Sequence, residues 1–186
     1  MRKRRCIIGI DEVGRGCFAG PVYAAAVRIS SRFRPPRATR IPRSASWRMA
    51  GHHTMPPLRD SKKLTALQRD MWAVWMKTHP RAVSFAIGFA LPRTVDTINI
   101  SRAADRAAYG AFRRLVGSHV RIRMRIIMDG GLRLPKRVPH KSIIRGDEQH
   151  TAIMLASIIA KVIRDKRMVV YAKRFPQYGL DANKGY

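Results

Sequence analysis

The chain has 186 residues, 46% of them hydrophobic, and this length and composition suit one globular domain with its own core. Its 38 Lys and Arg residues against 11 Asp and Glu give a formal charge of +27, which predicts a nucleic-acid partner, with a compositional bias toward Arg as the alternative explanation. Two cysteines without zinc-site spacing argue against a disulfide framework and structural zinc, and the lack of a long apolar run argues against membrane insertion, so we expect a cytoplasmic protein.

The first part of the chain predicts two strands joined by a turn-rich loop. Residues 6–10 and 22–29 are short apolar runs typical of buried strands, and the sequence GRGCFAGP between them is rich in turn formers. Residues 30–57 then carry many Pro and Arg, no acid and little periodicity. We predict a basic insert there, either a solvated loop or an arm that contacts phosphate.

The middle of the chain predicts two helices separated by a strand. Residues 64–77 have helical apolar spacing, with Ser61 or Thr65 able to cap the start. Their two tryptophans are more typical of core packing than of base stacking. Residues 82–91 indicate a strand that ends at a proline, and the Ala-rich residues 98–116 indicate a helix.

The last part of the chain predicts two strands and a long helix. Residues 121–129 alternate Arg with apolar side chains, which is typical of a strand with one wet face. Residues 140–147 are a further strand candidate, and residues 152–175 form a helix whose first half should be buried. The element order predicts a mixed α/β domain with one central sheet flanked by helices.

Four acids follow predicted strands in a chain where acids are scarce. Asp11 and Glu12 end the first strand and enter a Gly-rich turn, Asp129 ends the 121–129 strand, and Asp147 ends the 140–147 strand. Adjacent strands lie roughly 4.8 Å apart, so these carboxylates converge if their strands pair, and converging carboxylates need a cation. Oxygen ligands favour Mg²⁺ or Mn²⁺, and two such ions can activate water and stabilise the leaving oxygen of a phosphodiester. Strand-end Asp residues that only cap turns are the alternative interpretation.

Several ordered motifs resemble the ribonuclease HII family. The first is IGIDEVGRGCFAGPVYAAAV, followed by DSKKLT (60–65), MDG (128–130), RGDEQHTAIMLASIIAKVIRD (145–165) and FPQYGLDANKGY (175–186). The resemblance covers nearly the whole chain except residues 30–57 and implies a ribonuclease H-like fold. It also implies that Asp11, Glu12, Asp129 and Asp147 are the catalytic, metal-binding acids, whereas Asp165 matches no catalytic position and is predicted to lie on a helix surface.

The resemblance also implies an activity. Family members hydrolyse the RNA strand of RNA/DNA hybrids and cut on the 5′ side of single ribonucleotides in duplex DNA, so two Mg²⁺ or Mn²⁺ ions are expected during turnover. The expected partners are therefore RNA/DNA hybrids and ribonucleotide-containing duplex DNA, and we expect a monomer without membrane contact. A sliding-clamp contact is left open.

Substrate-binding residues follow from the same resemblance. The glycine-arginine-glycine stretch contacts the ribose 2′-hydroxyl in the family, and the final tyrosine stacks on the neighbouring sugar. Glycine backbone can approach a sugar closely, and the 2′-hydroxyl is the group that separates RNA from DNA. A plain phosphate contact for Arg15, and solvated rather than phosphate-bound lysines, remain alternatives. The predicted substrate-binding residues are Gly14, Arg15, Gly16, Tyr186, Lys62, Lys63 and Lys184.

The end of the chain departs from the family pattern. Family members continue past the tyrosine into helices that grip the duplex, whereas this chain ends at Tyr186, so we expect a shortened C-terminus. We expect general phosphate attraction to replace part of that grip. A noncatalytic nucleic-acid-binding relative, and a ribonuclease H-type enzyme that prefers long hybrids, are the two alternatives to the proposed activity.

Overall fold

The computed structural model describes residues 6–36, 54–117 and 124–184. Their strands form one five-stranded sheet in the order β3-β2-β1-β4-β5. The strands are β1 (Cys6–Val13), β2 (Val22–Ser30), β3 (Val83–Ala90), β4 (Met124–Asp129) and β5 (Lys141–Ile143). The predicted central mixed sheet is confirmed.

Strand direction brings three strand ends to one edge of the sheet. β1 pairs antiparallel with β2, and β2 pairs antiparallel with β3. On its other side β1 runs parallel to β4, and β4 runs parallel to β5. The carboxyl ends of β1, β4 and β5 therefore lie side by side, and we call this the carboxyl edge.

Helices cover both faces of the sheet. The α-helices are α1 (Ala66–Thr78), α2 (Pro92–Val116), α3 (Gly146–Gln149), α4 (Thr151–Arg174) and α5 (Leu180–Asn183). Short 3₁₀ helices span Ser61–Lys63 and Pro176–Tyr178. α1 and α4 share one hydrophobic cluster with the sheet, and α2 packs in a second cluster on the opposite face. This three-layer arrangement buries the sheet on both sides.

The tryptophans and the start of α1 behave as their sequence predicts. Trp72 is fully buried, and Trp75 packs against the same core cluster. Thr65, not Ser61, is the N-cap of α1: its hydroxyl accepts from Gln68 N, and the Gln68 side chain accepts from Thr65 N. This reciprocal capping box satisfies backbone donors that the first turn leaves unpaired.

Two strand predictions are wrong in part. The strand predicted over 140–147 ends at Ile143, because Arg145 adopts a left-handed conformation (φ 54°) that turns the chain into α3. In β4, Ile126 to Met128 are all buried, so only Arg125 keeps the predicted wet face within the described strand. A strand in the middle of a sheet covered by helices on both faces has little access to water.

The helix predicted over 98–116 begins earlier, at Pro92, but is interrupted near the predicted start. Asn99 has φ 66° inside α2, and its side chain accepts a hydrogen bond from Arg102 N at 3.1 Å. Asn99 therefore caps a second helical segment. The predicted insert lies mostly outside the described residues, and its described ends are not wholly solvated, since Met55 is buried and Phe33 packs against the core.

Among the described residues, no helix is both long and apolar enough to cross a membrane.

Candidate active site

The four predicted acids all lie at or beside the carboxyl edge. Asp11 and Glu12 are near the end of β1, and Asp129 is the last residue of β4. Ile10 pairs with Met128, so the parallel register places Asp11 beside Asp129. Asp147 does not end a strand as predicted but lies in the first turn of α3, just past β5. The parallel strands thus place acids from distant parts of the chain along one edge.

Asp11 has the most strongly perturbed carboxyl group of the site. Burial, followed by the charge of Glu12, raises the pKa of Asp11 well above its ordinary value, and the charge of Asp129 adds to this shift. A hydrogen bond from the Ser157 side chain opposes it. Only 4% of Asp11 is exposed, so water cannot screen these charges.

The carboxyl group of Glu12 is also only partly compensated by the groups around it. Burial raises the pKa of Glu12, the charge of Arg15 lowers it, and the charge of Asp129 raises it further. Oε2 of Glu12 is buried and has no hydrogen-bond partner in the described part of the chain. A buried carboxylate oxygen without a partner is costly, and it fits a site that accepts a cation.

A polar network that the sequence did not predict supports Asp11 from below. The Ser157 hydroxyl on α4, which lowers the pKa of Asp11, hydrogen-bonds the buried Ser61 hydroxyl at 2.8 Å. Asp60, which is 5% exposed, caps the 3₁₀ helix that carries Ser61 by accepting from Lys62 N at 3.0 Å. The DSKK segment therefore supports the surroundings of Asp11 in addition to presenting two lysines. The sequence shows Asp60 and Ser61 as polar residues, but only the structure shows that they are buried.

Asp129 and Asp147 are linked through the turn between β5 and α3. Gly146 N donates to Asp129 Oδ1 at 2.7 Å, and Gly146 immediately precedes Asp147. A Cβ at Gly146 would lie 3.4 Å from Asp129 Oδ1, so the turn packs directly against this carboxyl group. The short distance between the turn and the end of β4 fixes Asp147 near Asp129.

Lys62 reaches into the site from the DSKK segment. Its Nζ lies 3.2 Å from Asp147 Oδ2, while 79% of the lysine side chain is exposed. Burial lowers the pKa of Lys62, but the hydrogen bond and charge of Asp147 outweigh it, so the pKa is raised. The ammonium group is thus both paired with one of the four predicted acids and accessible to a polyanion.

Arg15 points back toward the acids. Its Nη1 lies 3.3 Å from Glu12 Oε1, and its Nη2 donates to Ser101 Oγ at 3.2 Å. The backbone of Gly131 lies beneath it, since a Cβ there would be 2.7 Å from Arg15 Nη1. Arg15 therefore balances the charge of Glu12 and ties β1 to α2.

The two glycines that flank Arg15 differ in what the fold requires of them. Gly14 has φ +97°, and a Cβ there would lie 2.7 Å from Arg164 Nε, so the fold itself requires glycine. At Gly16, a Cβ would have no atom of the described residues within 4 Å, and the residue has no left-handed φ. The chain's own packing gives no reason for glycine at residue 16.

The remaining predicted substrate-binding residues lie at the periphery. Lys63 is exposed at the end of the Ser61–Lys63 helix. Lys184 has a left-handed conformation, and its Nζ donates to the Asp181 carbonyl. Tyr186 lies outside the described residues. Asp165, predicted as a helix-surface residue, is half-buried and pairs with Arg69 and Lys161.

The side chains do not form a closed metal centre in the conformation seen. Within residues 6–36, 54–117 and 124–184, no three His, Cys, Asp or Glu side chains are close enough to hold an ion together. Their chemistry nevertheless fits a hard divalent cation: the donors are carboxylate oxygens, two have raised pKa values, and one buried oxygen has no partner.

The fold is the ribonuclease H-like α/β fold. It resembles the crystal structure of ribonuclease H2 from Pyrococcus horikoshii OT3 with a TM-score of 0.65 at 19% identity, covering 97% of this chain and 80% of that one. It also resembles Bst-RNase HIII, solved in complex with Mn²⁺, with a TM-score of 0.64 at 18% identity, covering 92% of this chain and 56% of that one.

The chain belongs to the ribonuclease HII family. The family model for ribonuclease HII matches residues 53–186. The ribonuclease HII of Thermosynechococcus vestitus is 38% identical over 97% of this chain and 72% of its own length. That of Bacillus cytotoxicus is 34% identical over 97% of this chain and 59% of its own length, so this chain spans little more than half of that relative.

Proposed function

We propose that this protein is an endoribonuclease that hydrolyses RNA within RNA/DNA duplexes, including 5′ of single ribonucleotides in duplex DNA, with two divalent ions. The observation that carries the proposal is the gathering of scarce acids at one edge of a strongly basic protein. The charge of Asp129 raises the pKa of both Asp11 and Glu12, and Asp147 is joined to Asp129 through Gly146. Membership of the ribonuclease HII family supports it.

The four acids are the proposed metal ligands. When bound, Mg²⁺ or Mn²⁺ would supply a water nucleophile at neutral pH and charge stabilisation for the phosphodiester, giving 3′-hydroxyl and 5′-phosphate products. Burial raises the pKa of both Asp11 and Glu12, so a bound cation would compete with protons for these carboxyl groups. The Mn²⁺ complex of Bst-RNase HIII, which has the same fold, supports this choice of metal.

Lys62 and Arg15 are proposed to exchange partners when substrate binds. Each now pairs with an acid of the site, Lys62 with Asp147 and Arg15 with Glu12. A cation on the acids would release both side chains, because it supplies the compensating charge that they now provide. The released groups are then positioned for the phosphates of the duplex, with Lys63 and Lys184 at the periphery.

The loop that follows β1 is the proposed ribose sensor. Gly16 has open space around its Cα, so its backbone can approach a sugar and hydrogen-bond a 2′-hydroxyl. Its glycine is unexplained by internal packing, and close approach of a ligand gives it a reason. Gly14 and Arg15 complete this loop, and Tyr186 is proposed to stack on the adjacent sugar.

Replacement of Asp11 with Asn is the central test. Asp11→Asn removes a ligand charge, so we expect turnover in Mg²⁺ or Mn²⁺ to fall by about a thousandfold or more, while duplex binding changes little. Asp70→Asn is the matched control, because Asp70 pairs with Lys166 on the helices and lies away from the acids. Full activity in Asp11→Asn would contradict the assignment.

A substrate comparison separates the proposal from its two alternatives. The wild type is given a DNA duplex that contains one ribonucleotide and, in parallel, a continuous RNA/DNA hybrid, each with Mg²⁺ and with Mn²⁺. Cleavage of both, with product ends of 5′-phosphate and 3′-hydroxyl, is expected. Cleavage of the hybrid alone indicates the long-hybrid enzyme, and binding without cleavage of either indicates a noncatalytic relative.

A further inference from the structure

Arg164 is the buried residue for which the proposed chemistry has no use. It lies on α4 and is completely buried, although an arginine carries its charge at every physiological pH. A buried guanidinium must be hydrogen-bonded to be tolerated, so its partners indicate what it organises.

The guanidinium of Arg164 joins two segments that are far apart in sequence. Its Nη2 donates to the Ala19 carbonyl at 3.1 Å and its Nε to the Pro21 carbonyl at 3.4 Å, both in the loop after β1. Its Nη1 donates to the Lys184 carbonyl at 2.9 Å, in the C-terminal segment. One rigid, planar group thus fixes the ends of both segments at once.

Two glycines of the loop lie so close to α4 that a side chain at either position would clash with it. Gly14 and Gly20 have φ +97° and +92°, and they bracket the loop. A Cβ at Gly14 would lie 2.7 Å from Arg164 Nε, and a Cβ at Gly20 would lie 2.7 Å from Sδ of the buried Met168, one turn along α4. The loop therefore lies directly on the Arg164–Met168 surface of the helix.

We propose that Arg164 is a positioning residue that sets the ribose-sensing loop and the C-terminal segment in one fixed relation. The inference rests on the proposed function for its consequence: Gly14 to Gly16 and Lys184 bind different parts of one substrate, so both must be held by the same rigid support. Arg164 itself touches neither substrate nor metal.

Hydrogen exchange tests the positioning role without any need for activity. Arg164→Lys keeps the charge but has one donor nitrogen, which cannot contact the three carbonyls as the planar fork does. We expect amide exchange in residues 14–21 and 180–184 to accelerate together by about tenfold, while exchange in α1 is unchanged. Arg167→Lys is the matched control, since Arg167 is exposed on the same helix.

A second variant approaches the same link from the loop side. Gly14→Ala places a methyl group against Arg164 Nε, so exchange in residues 180–184 should also rise, although these residues lie far along the chain. This variant decides the question if Arg164→Lys does not fold. Unchanged exchange in residues 180–184 in a folded variant of either kind would overturn the proposal.

Steady-state kinetics then test the consequence for substrate. With the singly ribonucleotide-substituted duplex, Arg164→Lys should raise KM by about tenfold or more and change kcat much less, because the acids keep their own supports. A fall in kcat at unchanged KM would overturn the positioning role. Should the wild type cleave neither duplex, the proposed function fails, and the exchange experiment still decides whether Arg164 couples the two segments.

Discussion

At the scale of single residues, the site depends on charge that the fold leaves uncompensated. Asp11 is almost completely buried beside Glu12, and the nearest cations, Arg15 and Lys62, pair with other acids. The folded state without metal therefore holds a carboxylate that would be more stable protonated. Functional sites commonly carry such unfavourable charge because the ligand compensates it.

Removal of this charge should stabilise the metal-free protein in a pH-dependent way. The pKa of Asp11 is raised on folding, so its protonated form stabilises the fold below the ordinary carboxyl pKa, and this stability is lost as pH rises through the raised value. Asp11→Asn stays neutral throughout. At pH 7.5 in EDTA we expect it to unfold about 2–4 °C above the wild type, and the difference should disappear in acid.

The control for this measurement is Asp70→Asn, whose melting temperature should follow the wild type across the pH range. Addition of Mg²⁺ should raise the melting temperature of the wild type more than that of Asp11→Asn, because a ligand stabilises the state it binds. A variant that is less stable than the wild type at pH 7.5 in EDTA would contradict the interpretation of Asp11.

At the scale of elements, two glycines let helices approach the sheet closely. A Cβ at Gly9 of β1 would lie 2.2 Å from the Ala152 carbonyl carbon of α4. A Cβ at Gly88 of β3 would lie 1.9 Å from the Ala107 carbonyl oxygen of α2. Both obstacles are backbone atoms, which cannot move without shifting a whole helix. The first contact matters for function, because it sets α4 and its Ser157 at the height of Asp11.

Alanine substitutions at Gly9 and Gly110 should distinguish the effect of close packing on stability from the effect of helix propensity. Gly9→Ala forces β1 and α4 apart, and we expect a loss of about 3 kcal/mol or more in the free energy of unfolding, together with reduced activity. Gly110→Ala on α2 is the control, since its Cβ would meet only Gly88 Cα at 3.9 Å. It should stabilise by about 0.5–1 kcal/mol. Urea denaturation measures both, and equal effects would contradict the packing argument.

At the scale of the whole molecule, the chain combines a formal charge of +27 with a candidate site of four acids. The basic field attracts the phosphate backbone of any duplex, whatever its sequence. The four acids of the candidate site lie at or beside the carboxyl edge, where a bound cation would add positive charge. The proposed function assigns substrate binding to the basic field and metal binding to the four acids.

Duplex binding should accordingly be strongly dependent on salt. For an all-DNA duplex, which cannot be cleaved, we expect log affinity to fall against log salt with a slope of about −5 or steeper. Lys63→Gln should make the slope shallower by about one if Lys63 contacts phosphate, whereas Lys166→Gln, on the paired surface of α4, should not. A wild-type slope near −1 would reject general phosphate attraction.

The sequence alone was sufficient for most of the architecture and for the family. Apolar runs and helical spacing depend on neighbouring residues, so β1, β2, β3, α1 and α4 could be predicted within a few positions. The scarcity of acids made Asp11, Glu12, Asp129 and Asp147 stand out. The predicted family is confirmed, while the metal roles of these acids stay predictions.

The tertiary structure decided what depends on contacts between distant segments. The left-handed Arg145 moves Asp147 from a strand end into a helix, and no local pattern in HKSIIRGD indicates this. In the sequence, Ser157 and Arg164 are not distinguished from other residues of a long helix. Their roles follow from the packing of α4 against Asp11 and against the loop after β1. A side chain's role is set by what lies across from it, and that neighbour becomes known only when the sheet and helices are assembled.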